Sequence, residues 1–197
     1  MEDITMGNQH ETPTERQLGW FAGILEGEGS LTLNVRNKKW KGWVGIGIDL
    51  QLQIVNTDGF IIEECANILR GIIKTEPRIM ERGIIPDRMT TDGTVWRQNK
   101  PMLIVGISKM NHIKLVVDTI MPYMIGEKKA RARIISKFIE RRLTHKGEHT
   151  TKGQSWYDGY DWALVKEFYQ ISKGKLPEKV ERLVRDYTQT TEQISVQ

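Results

Sequence analysis

Two stretches of strict alternation mark the first third of the chain. Leu31, Leu33 and Val35 alternate with Ser30, Thr32, Asn34 and Arg36, and Val44, Ile46, Ile48, Leu50, Leu52 and Ile54 alternate with Gly45, Gly47, Asp49, Gln51 and Gln53. A period of two belongs to strands with one buried face, so the pattern predicts a long hairpin with its tip near residues 38–42. Before it, Thr12-Pro13-Thr14-Glu15 reads as a helix start, with Thr12 as N-cap, Pro13 at the first helical position and Glu15 closing a capping box. This helix should run to Glu26 or Gly27. Asp58 is expected to cap a second helix through Phe60, Ile61, Cys65, Ile68 and Leu69, ended by Gly71 in a left-handed cap. Residues 78–82 and 94–108 read as strands around a loop at 83–93, and helical spacing returns over 111–121 and 127–143. The order is αββαββα plus one more helical segment, an α+β chain.

The remaining segments divide the chain. Residues 1–11 are polar and aperiodic and read as a flexible arm, and 12–143 form the main domain. Residues 144–188 begin as a polar, glycine-bearing linker and continue as a helical extension, with Trp162, Val165, Phe168 and Tyr169 at helical spacing and a last helix starting near Pro177. Trp156, Tyr157, Tyr160 and Trp162 are expected to anchor that extension, and 189–197 to be a disordered tail. At 197 residues the chain has room for one domain and an appendage. Its single cysteine, Cys65, excludes an internal disulfide and a cysteine zinc cage, and suits an intracellular, reducing compartment such as a bacterial or phage cytoplasm or an organelle. No apolar run approaches a membrane span and no secretory signal opens the sequence, so no membrane partner is expected. The net charge of +4 leans weakly towards an anionic partner. Residues 128–152 alone carry an excess of +7, which leaves the remainder at −3. His145 and His149 stand four apart in the polar linker without an acidic cluster, and are not read as a metal site.

The first helix carries the chemistry. At 100° per residue, Leu18, Phe21, Ile24 and Leu25 gather on one side, and Gly19, Ala22, Gly23 and Glu26 form a strip on the other with almost no side chain. Two glycines inside one helix cost about 1 kcal/mol each relative to alanine, so a compensating contact is expected. Close packing against the same helix of a second subunit about a twofold axis supplies it. Glu26 and Glu28 then flank Gly27 at a helix end whose carbonyls already concentrate negative charge. Two such ends meeting would need bound cations or raised carboxyl pKa values. Hard oxygen ligands of this kind suit Mg²⁺ or Ca²⁺.

The string Phe21-Ala22-Gly23-Ile24-Leu25-Glu26-Gly27-Glu28-Gly29, followed by Ser30-Leu31, resembles the LAGLIDADG motif, and the αββαββα order after it resembles that family's order over residues 12–143. The family comprises homing endonucleases and related maturases, and the single motif resembles its homodimeric members. The resemblance implies a site-specific double-strand DNA endonuclease that hydrolyses phosphodiesters with Mg²⁺ at a long pseudo-palindromic site and leaves short 3′ overhangs. Ca²⁺ would occupy the site without supporting cleavage. It further implies that Glu28 and the Gly27 carbonyl bind metal, that Glu26 supports the helix end near the axis, and that Asn56 orients water near the metal. It also gives an active-site lysine, Lys128 in preference to Lys129. Both acidic motif positions are Glu where the family more often has Asp. The alternative on the same scaffold is a non-catalytic nucleic-acid-binding protein, either a group I intron maturase that binds intron RNA or a regulator.

The strands offer a binding surface independently of the family. With their apolar faces under helices, the opposite faces present Ser30, Thr32, Asn34, Arg36, Lys38, Asp49, Gln51 and Gln53, groups able to read base edges in a major groove. Arg78, Met80, Arg82, Trp96 and Gln98 are further candidates. The plain alternative is an ordinary solvated sheet face. Phosphate contacts from the 128–152 cluster would add salt-dependent affinity.

Overall fold

Thr14, not Thr12, starts the first helix. The computed structural model describes residues 11–40, 43–84, 86–144, 150–151, 154–155 and 157–194. In it, α1 spans Glu15–Gly27, and the Thr14 hydroxyl accepts the Gln17 N–H while the Gln17 side chain accepts the Thr14 N–H. The sequence holds two overlapping capping frames, and the later one forms because residues 11–13 are used elsewhere. They lie across Gly71, where an added Cβ would stand 2.5 Å from the Glu11 carbonyl oxygen and 2.9 Å from the Pro13 ring. Gly71 is therefore small for contact and not for helix termination. The second helix, α2, runs through it over Gly59–Ile73, capped by Asp58 at its start, and turns left-handed at Lys74 with φ of 55°.

The long hairpin is present as β1 (Gly29–Trp40) and β2 (Trp43–Asn56). The expected strand over 94–108 is divided. β3 (Arg78–Arg82) precedes a small projecting hairpin of β4 (Arg88–Met89) and β5 (Val95–Trp96), and the sheet resumes at β6 (Met102–Ile107). The division has local causes: the Thr90 N–H reaches the Thr94 carbonyl, Gly93 adopts φ of 83°, and Pro101 lacks an N–H for the ladder. The sheet order is β1-β2-β6-β3, antiparallel throughout, with Gly29 opposite Ile54, Leu52 opposite Ile107 and Arg78 opposite Gly106.

Alternation delivers one apolar face. Leu31, Leu33, Val35, Ile46, Ile48, Leu50, Leu52, Ile54, Val105 and Ile107 are buried in one core, to which α1, α2, α3 (Met110–Ile120) and α4 (Gly126–Thr144) contribute Phe21, Leu25, Ile62, Cys65, Ile113, Val117, Ile135 and Phe138. Each large aliphatic side chain so placed stabilises by about 1.5–3 kcal/mol.

The segment after α4 is more than a linker. A short hairpin of β7 (Thr150–Thr151) and β8 (Gln154–Ser155) leads to a buried Tyr157, then to α5 (Gly159–Lys173) and α6 (Glu178–Ile194). The Tyr157 hydroxyl accepts the Ile48 N–H at 3.1 Å, beyond the reach of β6, which pairs only with residues 52–56 of β2. Tyr169 lies buried against the backbone of Val35, and α6 touches both hairpin strands. The extension thus covers the outer part of the hairpin. Its root is ionic: Arg141 and Arg142 of α4 pair with Asp161, which is fully buried, Arg141 also pairs with Asp158, and the two guanidiniums lie over Tyr160 and Tyr157. Tyr160 and Trp162 join this anchor as expected, while Trp156 lies outside the described residues. The last helix reaches Ile194, past the boundary expected for a loose tail.

Candidate functional site

The end of α1 abuts the start of the sheet, since Gly29 begins β1 directly after the Glu28 cap. That tight junction requires Gly29: an added Cβ would lie 2.7 Å from the Leu25 carbonyl oxygen and 2.8 Å from its Cα. Gly27, two residues earlier, faces open space. The Glu28 N–H returns to the carbonyls of Ile24 and Leu25, and its carboxylate is exposed, with no hydrogen-bond or ion-pair partner among the described residues. Glu26 is committed locally, because its Oε1 accepts the Ile125 N–H at 3.2 Å and ties the entry to α4 against α1.

The negative helix end has an internal counter-charge. Lys128 Nζ donates to the carbonyls of Leu25, Glu26 and Gly29 at 2.9, 2.6 and 2.8 Å. An ammonium has three donors, so this clasp uses all of them. Burial pulls the Lys128 pKa below its usual value, against the opposing pull of Glu26. Of the two candidate lysines, the structure brings Lys128 to the motif, though facing backbone oxygens and not open solvent. The Asn56 side chain is engaged locally. It continues the phase of Leu52 and Ile54 on the helix-covered side, and its Oδ1 accepts the Asp58 N–H in the turn before α2.

Register places most of the proposed reading residues together. Ser30 faces Gln53, Thr32 faces Gln51 and Asn34 faces Asp49 across the hairpin, with Arg36 ion-paired to Asp49. Asn34 also donates to the Thr32 hydroxyl. Continuing across the sheet, Gln53 lies opposite Gly106 and Gly106 opposite Arg78, so Arg78, Met80 and Arg82 share this face. Gly106 leaves room for the Gln53 side chain, whose Cγ would stand 3.0 Å from an added Cβ. The helices contact the sheet from the opposite side, where the buried apolar set lies.

Gln98 is absent from this face. It lies between β5 and β6, buried, with its amide donating to the Lys100 carbonyl at 2.7 Å. The side chains of Lys38 and Trp96 lie outside the described residues, as do His145 and His149. Ala22 is fully buried in the core and leaves the expected contact strip, while Gly23 is open and Gly19 sits near the Tyr123 ring. The free face of α1 therefore runs through Arg16, Trp20, Gly23 and Gly27. The basic cluster is also partly spent, since Arg141 and Arg142 hold α5.

This sheet, with its helices on one face and the α1 end at its edge, matches solved structures. One is the homing endonuclease I-CvuI in complex with its target, with a TM-score of 0.54 at 14% identity over 88% of this chain and 95% of that one. The chain has the fold of the LAGLIDADG homing endonucleases. I-GzeII with its DNA target and I-SmaMI bound to cleaved DNA, both LAGLIDADG homing endonucleases, each match with a TM-score of 0.51 at 16% identity, over 84% and 89% of this chain. Against those two the chain spans about half the length, 47% and 50%. No protein-family model and no curated protein matches the sequence. Among the described residues there is no group of three or more His, Cys, Asp or Glu placed to hold a metal, and no helix is long and apolar enough to cross a membrane.

Proposed function

We propose that the chain is a homodimeric, Mg²⁺-dependent, site-specific DNA endonuclease that hydrolyses one strand per protomer of a long pseudo-palindromic site and leaves short 3′ overhangs. The observation that carries this reading is the Glu28 carboxylate at the end of α1, exposed and without a hydrogen-bond or ion-pair partner among the described residues, next to a polar sheet face that runs on from Ser30. A carboxylate with no hydrogen-bond or ion-pair partner among the described residues is a ready ligand for a hard cation, and Gly27 beside it faces open space. One carboxylate per protomer is few, which is why the reading pairs two α1 ends about a twofold axis through the open strip at Gly23. What a divalent cation supplies there is Lewis acidity for activating water and stabilising the leaving oxygen. Glu26 and Lys128 hold the backbone of the α1 end, and so the bearing of Glu28. Thr32, Asn34, Gln51 and Gln53 meet base edges, and Arg133 and Lys137, exposed on α4, remain for phosphate. The I-CvuI complex was obtained in the presence of Ca, and in this proposal Ca²⁺ occupies the site without supporting cleavage. Intron homing and an intracellular site of action belong to the same proposal.

One observation favours a second reading, a nucleic-acid-binding protein without cleavage, such as an intron maturase. Lys128 spends its three donors on carbonyls and has none left for a scissile phosphate. Plasmid cleavage separates the two. On a plasmid carrying the rejoined flanks of the coding sequence, the nuclease nicks and linearises with Mg²⁺, and Glu28→Gln loses at least about a hundredfold in rate while still binding. Tight binding of intron RNA by a wild type that never cuts would establish the second reading.

A further inference from the structure

The face opposite the helices is not uniformly polar. Along the hairpin it shows Ser30, Thr32, Asn34, Asp49, Gln51 and Gln53, but where β2, β6 and β3 lie side by side it turns apolar. Val55, Ile104 and Met80 stand directly opposite one another across the three strands, and Met102 follows in the next row beside Arg82. All four are half-buried, on the side of the sheet away from the helices. Neighbouring strands lie about 4.8 Å apart, so the row is an apolar bar about 10 Å long. Arg78 and Arg82, both exposed and without an acidic partner among the described residues, close its β3 end. Because Gly29 pairs with Ile54, the bar begins one step from Glu28.

Resting on the endonuclease reading, we propose that this bar reads thymine methyl groups in the major groove at the inner end of each half-site, nearest the cleavage point. The occupant follows from its surroundings. The bar is continuous with the polar rows that would read base edges, and its guanidinium border suits flanking phosphates. Val, Ile and Met carry no donor or acceptor able to recognise a base by hydrogen bonding, and the C5-methyl of thymine is the one apolar group a base pair presents in the major groove. The outer positions are then read by hydrogen bonds and the inner ones by methyl contact, which gives one protomer two modes of discrimination along one sheet.

The test uses the full chain and a randomised duplex pool. Bound sequences are selected, and the recovered consensus is resynthesised with deoxyuridine replacing each thymine in turn, which deletes one methyl and nothing else. Thymine is expected at one or two positions at the inner end of each half-site, with uracil there weakening binding about fourfold per methyl. Uracil at outer positions should leave binding unchanged. In Met80→Ala and Ile104→Thr the inner uracil penalty should shrink while outer base preferences persist, a pattern that general destabilisation does not give. Enrichment of a consensus whose inner positions show no thymine, or whose inner uracil binds as well as thymine, overturns the methyl reading and leaves the endonuclease reading standing. Failure to enrich any sequence overturns both.

Discussion

Replacing Lys128 with methionine tests whether that lysine is a structural clasp. Methionine keeps the length and apolar stem but withdraws three donors from the carbonyls of Leu25, Glu26 and Gly29. A hydrogen bond to a charged donor contributes about 1.5–3 kcal/mol when buried. Lys128 keeps partial contact with water and loses some of that gain to desolvation, so the three bonds together are worth about 2–3 kcal/mol. For a chain of this size that is a fall in Tm of roughly 5–10 °C. Lys129→Met, whose ammonium makes no comparable contact, should stay within about 0.5 kcal/mol of wild type. Urea unfolding followed by circular dichroism reads both without DNA or metal, so the result does not depend on the proposed activity. If Lys128→Met unfolds at the wild-type urea midpoint, the clasp does not hold the α1 end, and Lys128 returns to the set of residues free to meet phosphate.

The glycines of the motif should divide by role. Gly29→Ala drives a Cβ into the Leu25 backbone and should lower stability by several kcal/mol, on the order of a core disruption, in the same urea assay. A Cβ added at Gly23 meets nothing within 4 Å in one protomer, so with Gly23→Leu the fold should persist while sedimentation shows loss of the proposed dimer. The Cys65 thiol, pushed up to about 12 by burial and then by Glu64, should resist aromatic disulfide reagents in the native state and react at once in denaturant; prompt native labelling would contradict its place in the core. Burial alone would raise the Asp158 carboxyl, but the Asp161 N–H and the Arg141 guanidinium hold it below the usual carboxylate range. Its contribution is therefore complete above about pH 4 and disappears as pH falls through the lower folded value. Asp158→Asn should flatten that part of the acid-unfolding curve, and an unchanged curve would show that the pair is inert.

Much of the architecture was legible because it rests on periodicity. The alternation over 30–36 and 44–54 needs only one buried face to become the hairpin, whereas Arg78, Met80 and Arg82 gain their place on the face of Gln53 only through the pairing of β6 with both β2 and β3. What the sequence concealed depends on contacts between distant segments. Gly71 looks like a helix terminator until residues 11–13 are seen lying on it. Ala22 looks like part of a bare strip until the core closes over it, and Asn56 shares its phase with Ile54, a clue that was available in the alternation itself. Lys128 could be selected as a lysine near the motif, but the direction of its ammonium, towards carbonyls 99 to 103 residues away in sequence, is a tertiary fact. The apolar bar left a faint signal, two consecutive apolar residues at Ile54 and Val55 where strict alternation breaks.

The hydroxyl of Tyr157 on the Ile48 amide carries a consequence for reach. A strand advances about 3.4 Å per residue, close to the rise of one base pair, so each additional stiff pair on the hairpin extends the ruler by nearly one position. At Val35, Ile46 and Ile48, past the reach of β6, the hairpin is backed by Tyr157, Tyr169 and α6. On the proposed reading, how many base pairs a protomer can hold in register is decided by the appendage at the far end of the polypeptide, and shortening that appendage should shorten the footprint before it touches the cut.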